Sequence, residues 1–254
     1  MKKFWVTFAV ASALVFVSCG GGGEKKAETP AAAPAAAPVD DASAATVTGK
    51  VAFGGAAPRI NNLSMDATPA CARAHSAPVK SEEVVINGNG TLRNAFVWVK
   101  AGVPERQWPA PSGAVSLDQL GCMYKPHVLG VRAGQDIDVT NSDPTNHNIH
   151  PLPKDNREWN ESQPPKGDKK VKQFPRQEVM IPIKCNVHPW MKSYIGVVNH
   201  PFFAVTGEDG TYTLKGLPPG DYTVEVWHEK YGVQEQKVTV GAKESKTVDF
   251  AYKG

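Results

Sequence analysis

An all-β fold is what this sequence predicts, and three observations carry the prediction. Short runs rich in Val, Ile, Thr and Tyr alternate apolar and polar residues with the two-residue period of a strand. Glycine and proline, 23 and 21 of 254 residues, punctuate those runs as turn signals. Long amphipathic patterns at helical spacing are missing once the N-terminal leader ends. A chain of this length accommodates one large or two small β-domains. Its formal charge is +3, and removal of Lys2 and Lys3 with the leader would leave 26 basic against 25 acidic residues. A balance so near neutrality argues against nucleic acid as a partner and against bulk attraction to a membrane surface.

The chain opens with Met1-Lys2-Lys3 and an apolar run over 4–17, the charged and hydrophobic regions of a secretory leader. The run is too short to cross a bilayer comfortably. It ends in Phe16-Val17-Ser18-Cys19-Gly20, which resembles a bacterial lipobox. That resemblance implies a signal segment over 1–19, with cleavage before Cys19 and lipidation of its sulfur. An ordinary signal peptide is the competing reading. Residues 20–45 begin with four glycines, continue rich in Ala and Pro, and cannot bury a core, so they read as a flexible tether. A lipid anchor followed by a tether implies a periplasmic or cell-surface protein. Gly20 stands where an inner-membrane retention signal would place Asp, which leans toward the outer membrane.

The first strand is predicted over 46–53, closing on Gly54-Gly55. Strands over 82–86 and 92–100 flank the turn Asn87-Gly88-Asn89-Gly90, and residues 46–110 form an N-terminal β-segment. Residues 115–117, 128–131 and 137–140 read as further strands, the last two joined through Ala133-Gly134-Gln135. After a segment around His147, a long polar loop is predicted over 154–176. Strands over 179–183 and 195–198 then enclose the stretch from Cys185 to Met191. A second β pattern occupies 201–254, with strands over 202–205, 211–214, 222–227, 236–240 and 247–252. Its pieces Asp209-Gly210-Thr211-Tyr212-Thr213-Leu214 and Leu217-Pro218-Pro219-Gly220-Asp221-Tyr222 resemble the transthyretin-like module known as carboxypeptidase regulatory-like. The opening strands of that module would be supplied by Thr48-Gly49-Lys50-Val51 and Asn94-Ala95-Phe96-Val97. The segment over 115–200 would then interrupt the sandwich, with two consecutive domains as the alternative.

Functional chemistry concentrates in Lys184-Cys185-Asn186-Val187-His188-Pro189-Trp190-Met191. A thiolate, an imidazole and a thioether fall within seven residues. Blue-copper centres combine two imidazoles and one thiolate in a plane with a weak axial thioether. Cys-x2-His-x2-Met followed by an apolar strand resembles the ligand loop of cupredoxins of the amicyanin type. The upstream Asn141 and His147-Asn148-Ile149-His150 resemble that family's other ligand segment, 38 residues before Cys185. The resemblance covers about residues 122–200 and implies a cupredoxin Greek-key sandwich over 115–200. Carried over by position, it places one copper ion on His147, Cys185 and His188, with Met191 axial. It also makes Asn148 a brace to the cysteine loop, and His188, Pro189 and Trp190 an electron port at the surface. His150, three residues beyond His147, would face the opposite side of a regular strand.

Lys184 stands where nitrite reductases and multicopper oxidases carry a histidine, and the loop holds one cysteine, so a single copper is implied. The expected role is single-electron transfer rather than catalysis, with a c-type cytochrome or a membrane oxidoreductase as partner. Copper delivery or buffering, and a structural surface lipoprotein with a vestigial site, are the alternatives. The basic run Lys166, Lys169, Lys170, Lys172 and Arg176 could steer an acidic partner. Cys71 and Cys122 remain, and in an oxidising compartment they read as a disulfide that would stabilise by about 2–4 kcal/mol. The alternative is a second metal site formed with His75 and His127. His200 and His228 read as loop or strand-end residues.

Overall fold

The computed structural model describes residues 42–254 apart from 109, 110 and 112. The leader, Cys19 and the tether up to residue 41 lie outside the described residues. The protein is nearly all β. In order along the chain come β1 (Ala45–Gly54), α1 (Pro69–Arg73), β2 (Phe96–Ala101), β3 (Val115–Gln119), β4 (Tyr124–Lys125), β5 (Val128–Arg132), β6 (Ile137–Asn141) and β7 (His147–Pro151). There follow β8 (Glu161–Gln163), β9 (Lys170–Lys172), β10 (Glu178–Lys184), β11 (Lys192–Val198), β12 (Phe203–Val205), β13 (Thr211–Leu217), β14 (Gly220–His228), β15 (Gly232–Val240), β16 (Ser245–Thr247) and β17 (Phe250–Lys253).

Strand pairing sorts these elements into two sandwiches. One sheet runs β13-β1-β16, with β17 also on β1, and a second runs β12-β2-β14-β15. Their facing apolar residues, among them Val47, Val97, Leu214, Val224 and Phe250, make one core. The chain between β2 and β12 builds its own sheets, β5-β11-β10-β7-β8 and β4-β3-β6-β9. Parallel pairing of β3 with β6 and of β5 with β11 gives this second sandwich its crossover connections. Its separate core includes Leu117, Val131, Ile137, Ile149, Ile181 and Ile195.

A third apolar cluster joins the two sandwiches. Phe96 and Trp98 from β2 pack on Val128, Met180 and Val198 of the inserted sheet. Close approach depends on two glycines. A Cβ on Gly196 would sit 2.5 Å from the Phe96 ring, and one on Gly130 would sit 2.6 Å from the Phe203 ring. Beside this contact, Glu229 takes hydrogen bonds from His127 at 2.7 Å and from the Tyr194 hydroxyl at 3.0 Å.

Some local expectations are corrected. Residues 82–86 form no strand beyond the isolated pairing of Ile86 with Leu92. Asn94 adopts a left-handed φ of 64°, which breaks the extended run and starts β2 at Phe96. The polar stretch 154–176 contains β8 and β9, which pair with β7 and β6 because those strands otherwise lack a neighbour on that side. The last strand divides into β16 and β17, and between them the Val248 N–H donates to the Thr48 carbonyl at 2.8 Å. Around Pro69 the chain forms the short helix α1.

Two buried histidines make stability depend on pH. His200 donates from Nε2 to the Val99 carbonyl at 2.8 Å and accepts the Phe202 N–H on Nδ1 at 3.2 Å, a pattern only the neutral ring satisfies. Burial lowers its pKa to about 4. His228, which accepts the Lys230 N–H, is likewise lowered by burial to about 4. The unfolded chain takes up these protons first, so stability is retained above pH ~6.5 and lost as pH falls toward ~4. Urea denaturation at pH 5 against pH 8 should show a loss of about 2 kcal/mol for each histidine. At the junction, Gly196→Ala should cost about 1–3 kcal/mol by overpacking against Phe96, measured the same way.

Candidate metal centre

β10 ends at Lys184 and β11 begins at Lys192, so the chain must reverse within seven residues. Two backbone bonds close that turn. The Met191 N–H donates to the His188 carbonyl at 3.0 Å, and the Cys185 N–H donates to the Met191 carbonyl at 3.3 Å. The three-residue spacing then turns Cys185, His188 and Met191 inward, where they are 3%, 1% and 0% exposed, while Val187 points outward. Met191 and Cys185 belong to the core of the inserted sandwich.

The facing side of the site comes from the β6–β7 connection. Asn141 ends β6, and its side-chain amide donates to the carbonyls of Thr145, Gln163 and Pro164, which shapes the turn. Its Oδ1 accepts the Asp143 N–H at 3.1 Å. Asp143 is buried, and its carboxylate takes the N–H groups of Gly121 at 2.7 Å and Cys122 at 2.6 Å. The same carboxylate takes His147 Nε2–H at 2.8 Å. With Nε2 committed, His147 presents Nδ1 to the interior, 2.9 Å from Nδ1 of His188. Cys185 Sγ lies 3.7 Å from that His188 nitrogen. The two rings cross at 69° with centroids 4.7 Å apart.

Electrostatics favour an anionic sulfur here. Burial pushes the Cys185 thiol up, but the hydrogen bond with His147 and the surrounding backbone N–H groups outweigh it, leaving the thiol below its ordinary range. Burial pulls His147 down, and Asp143 and Cys185 together raise it above the usual imidazole value. His188 is lowered by burial and by the charge on His147.

Donor atoms of His147, Cys185 and His188 all lie within 4.8 Å of one another, and all three residues are buried. Two imidazole nitrogens and one thiolate form a soft, mixed donor set that fits copper in either oxidation state. Cys122, Asp143 and His147 are also within that distance, but the sulfur of Cys122 is bonded to Cys71 and offers no thiolate. The disulfide likewise removes both sulfurs from the alternative second metal site with His75 and His127. There His75 instead bonds to the Gly121 carbonyl and His127 to Glu229.

Asn148 accepts the Asn186 N–H on Oδ1 at 2.6 Å, tying the strand of His147 to the cysteine loop. The Tyr124 hydroxyl donates to the Asn148 carbonyl at 2.5 Å. His150 faces outward and contacts Glu158 at 2.7 Å and Asn186 at 3.1 Å.

The electron port is corrected in one respect: His188 does not reach the surface. Its outward nitrogen, Nε2, lies 3.7 Å from Cys71 Sγ, because α1 is drawn over the loop by the disulfide to Cys122. Pro189 is exposed, and Trp190 is half-buried with its ring centroid 5.1 Å from that of His188. Two carboxylates offset part of the basic run. Lys169 pairs with Asp138 at 2.7 Å, Lys170 and Lys172 pair with Glu161, and Arg176 bonds to the Asp155 carbonyl. Sequence reading passed over Asp143. The only trace of it is a carboxylate four residues before His147, and nothing local marks that carboxylate as buried.

A carboxypeptidase regulatory-like domain model matches residues 196–253. No curated protein matches the chain. Among solved structures, the copper-containing nitrite reductase from Thermus scotoductus SA-01 is 19% identical, with a TM-score of 0.31, over 39% of this chain and 25% of that one. The chain therefore spans about a quarter of that reductase. The purple cupredoxin from Nitrosopumilus maritimus is 20% identical, with a TM-score of 0.29, over 33% of this chain and 98% of that one. A reduced mutant of amicyanin is 20% identical, with a TM-score of 0.30, over 40% of this chain and 97% of that one. What the site can do follows from this chain's own side chains.

Replacing Asp143 tests the support behind His147. Asp143→Ala strands two buried N–H groups and the His147 Nε2–H, and should cost about 3 kcal/mol in urea denaturation. Asp143→Asn, which keeps one acceptor oxygen, should cost less.

Proposed function

We propose that this protein binds one copper ion, which His147, Cys185 and His188 would hold with Met191 as a fourth ligand, and carries single electrons between redox partners. The observation that supports this reading is the buried convergence of two inward-facing Nδ1 atoms on a thiolate. Copper bound by such donors exchanges one electron between its two common oxidation states. The protein's part is to hold those donors still. Asp143 fixes the ring of His147, Asn148 fixes the cysteine loop against β7, and the Cys185–Met191 backbone bond keeps the loop closed. Burial of all three donors leaves a substrate no approach to the sulfur, so we read a carrier rather than an enzyme. Lipidation at Cys19 would hold the carrier at a periplasmic or cell-surface membrane, and a c-type cytochrome or a membrane oxidoreductase would be its partner.

The test is an optical and EPR spectrum of the copper-loaded chain. Intense thiolate-to-copper charge transfer and one copper per chain are expected, and Cys185→Ser should abolish the colour. A colourless, tetragonal copper(II) spectrum unchanged by Cys185→Ser would sink the assignment. Ready loss of copper to a partner without fast electron exchange would favour delivery instead.

A further inference from the structure

The Gly121–Cys122 turn touches the outer side of both histidines that point into the centre. On one side its two N–H groups share the Asp143 carboxylate with His147 Nε2. On the other, Cys122 carries the disulfide whose Cys71 sulfur lies 3.7 Å from His188 Nε2. Both turn residues hold left-handed φ values, 66° at Gly121 and 53° at Cys122. The Cys122 carbonyl accepts the indole N–H of Trp190 at 3.1 Å, and the Gly121 carbonyl contacts His75 Nε2 at 2.7 Å. The disulfide is itself enclosed, with Cys71 0% and Cys122 1% exposed. The Nε2 edge of His188 thus faces only the weakly accepting disulfide sulfur, and its buried ring has no room to rotate outward.

We infer that the Cys71–Cys122 disulfide is a positioning element of the centre: it clamps the ring of His188 and closes its outer nitrogen to solvent and to external ligands. Its place in the fold differs from that of a staple remote from any site. The cross-link joins α1 to the very turn that orients His147, so one covalent bond constrains the outer edges of both rings. It follows that electrons would not cross at the His188 edge, and Trp190, in contact with that ring and half-buried, is the group that continues to the surface. The metal-related consequences rest on the copper reading above, whereas the shielding of His188 does not.

The decisive experiment is diethylpyrocarbonate labelling of the metal-free full chain, read histidine by histidine by mass spectrometry. In the wild type, His150, partly exposed between Glu158 and Asn186, should label measurably while His188 stays protected. In Cys71→Ala/Cys122→Ala, labelling of His188 should rise at least tenfold while His147, still held by Asp143, stays unchanged. Wild-type His188 labelling as fast as His150, or a variant in which His188 stays as protected as before, would overturn the inference. Labelling that also rises at His200 and His228 would mean the variant has unfolded. Wild-type chain reduced with a phosphine in urea and refolded with the phosphine present then decides by the same criterion. With copper bound, added imidazole should change the EPR spectrum of the disulfide-free chain only. A chain that binds no copper would fail the proposed function but leave the labelling result intact.

Discussion

Removing a carboxylate from water is costly unless hydrogen bonds replace the lost hydration, and Asp143 meets that condition with three donors, two of them from a distant turn. Two of those donors belong to the turn bearing Cys122, and the third is the ring of His147. One buried charge therefore decides which nitrogen of His147 faces inward, where the disulfide-bearing turn sits, and how closely β3 and the β6–β7 connection approach. Burial also holds Asp143 toward protonation, but its hydrogen bonds to His147, Cys122 and Gly121 prevail and keep it below the ordinary carboxylate range. The centre is thus organised from behind.

The surrounding architecture serves the same end. Cys185, His188 and Met191 sit on a loop whose two ends are adjacent antiparallel strands, so the loop cannot open without breaking the β10–β11 ladder. His147 begins a strand that pairs with β10 beside that loop. Rigid sheets on both sides mean that donor positions are set by strand register rather than by loop flexibility. The outer sandwich contributes through the junction, where Gly130 and Gly196 let aromatic rings lie directly on the inserted sheet.

Periodicity was enough to read most strands, because alternation of buried and exposed side chains is a local property. It failed where the cause was not local. Glu161-Ser162-Gln163 has no apolar residue, and the alternation of Lys170-Val171-Lys172 is too short to mark a strand. Those residues become strands because β7 and β6 have unpaired edges beside them. The run into β2 looked continuous across Asn94, and only its left-handed backbone reveals the break. Exposure of His188 was misjudged for a similar reason, since the segment that covers it lies more than a hundred residues earlier in the chain.

By itself, the sequence determined the all-β class and the turn chemistry, and its resemblance to an amicyanin-type ligand loop singled out Cys185, His188 and Met191 as candidate ligands. It left open whether the sandwiches are nested or consecutive, and whether Cys71 and Cys122 bond to each other or to a metal. Tertiary structure decided both: β1 and β2 pair with strands beyond residue 203, and the two sulfurs meet. It alone decided that Asp143 stands behind His147 and that a disulfide lies over His188. Asp143 lies close to His147 in the chain but is held there by the distant Gly121–Cys122 turn, and the disulfide joins segments 51 residues apart, so no local pattern of residues records either arrangement.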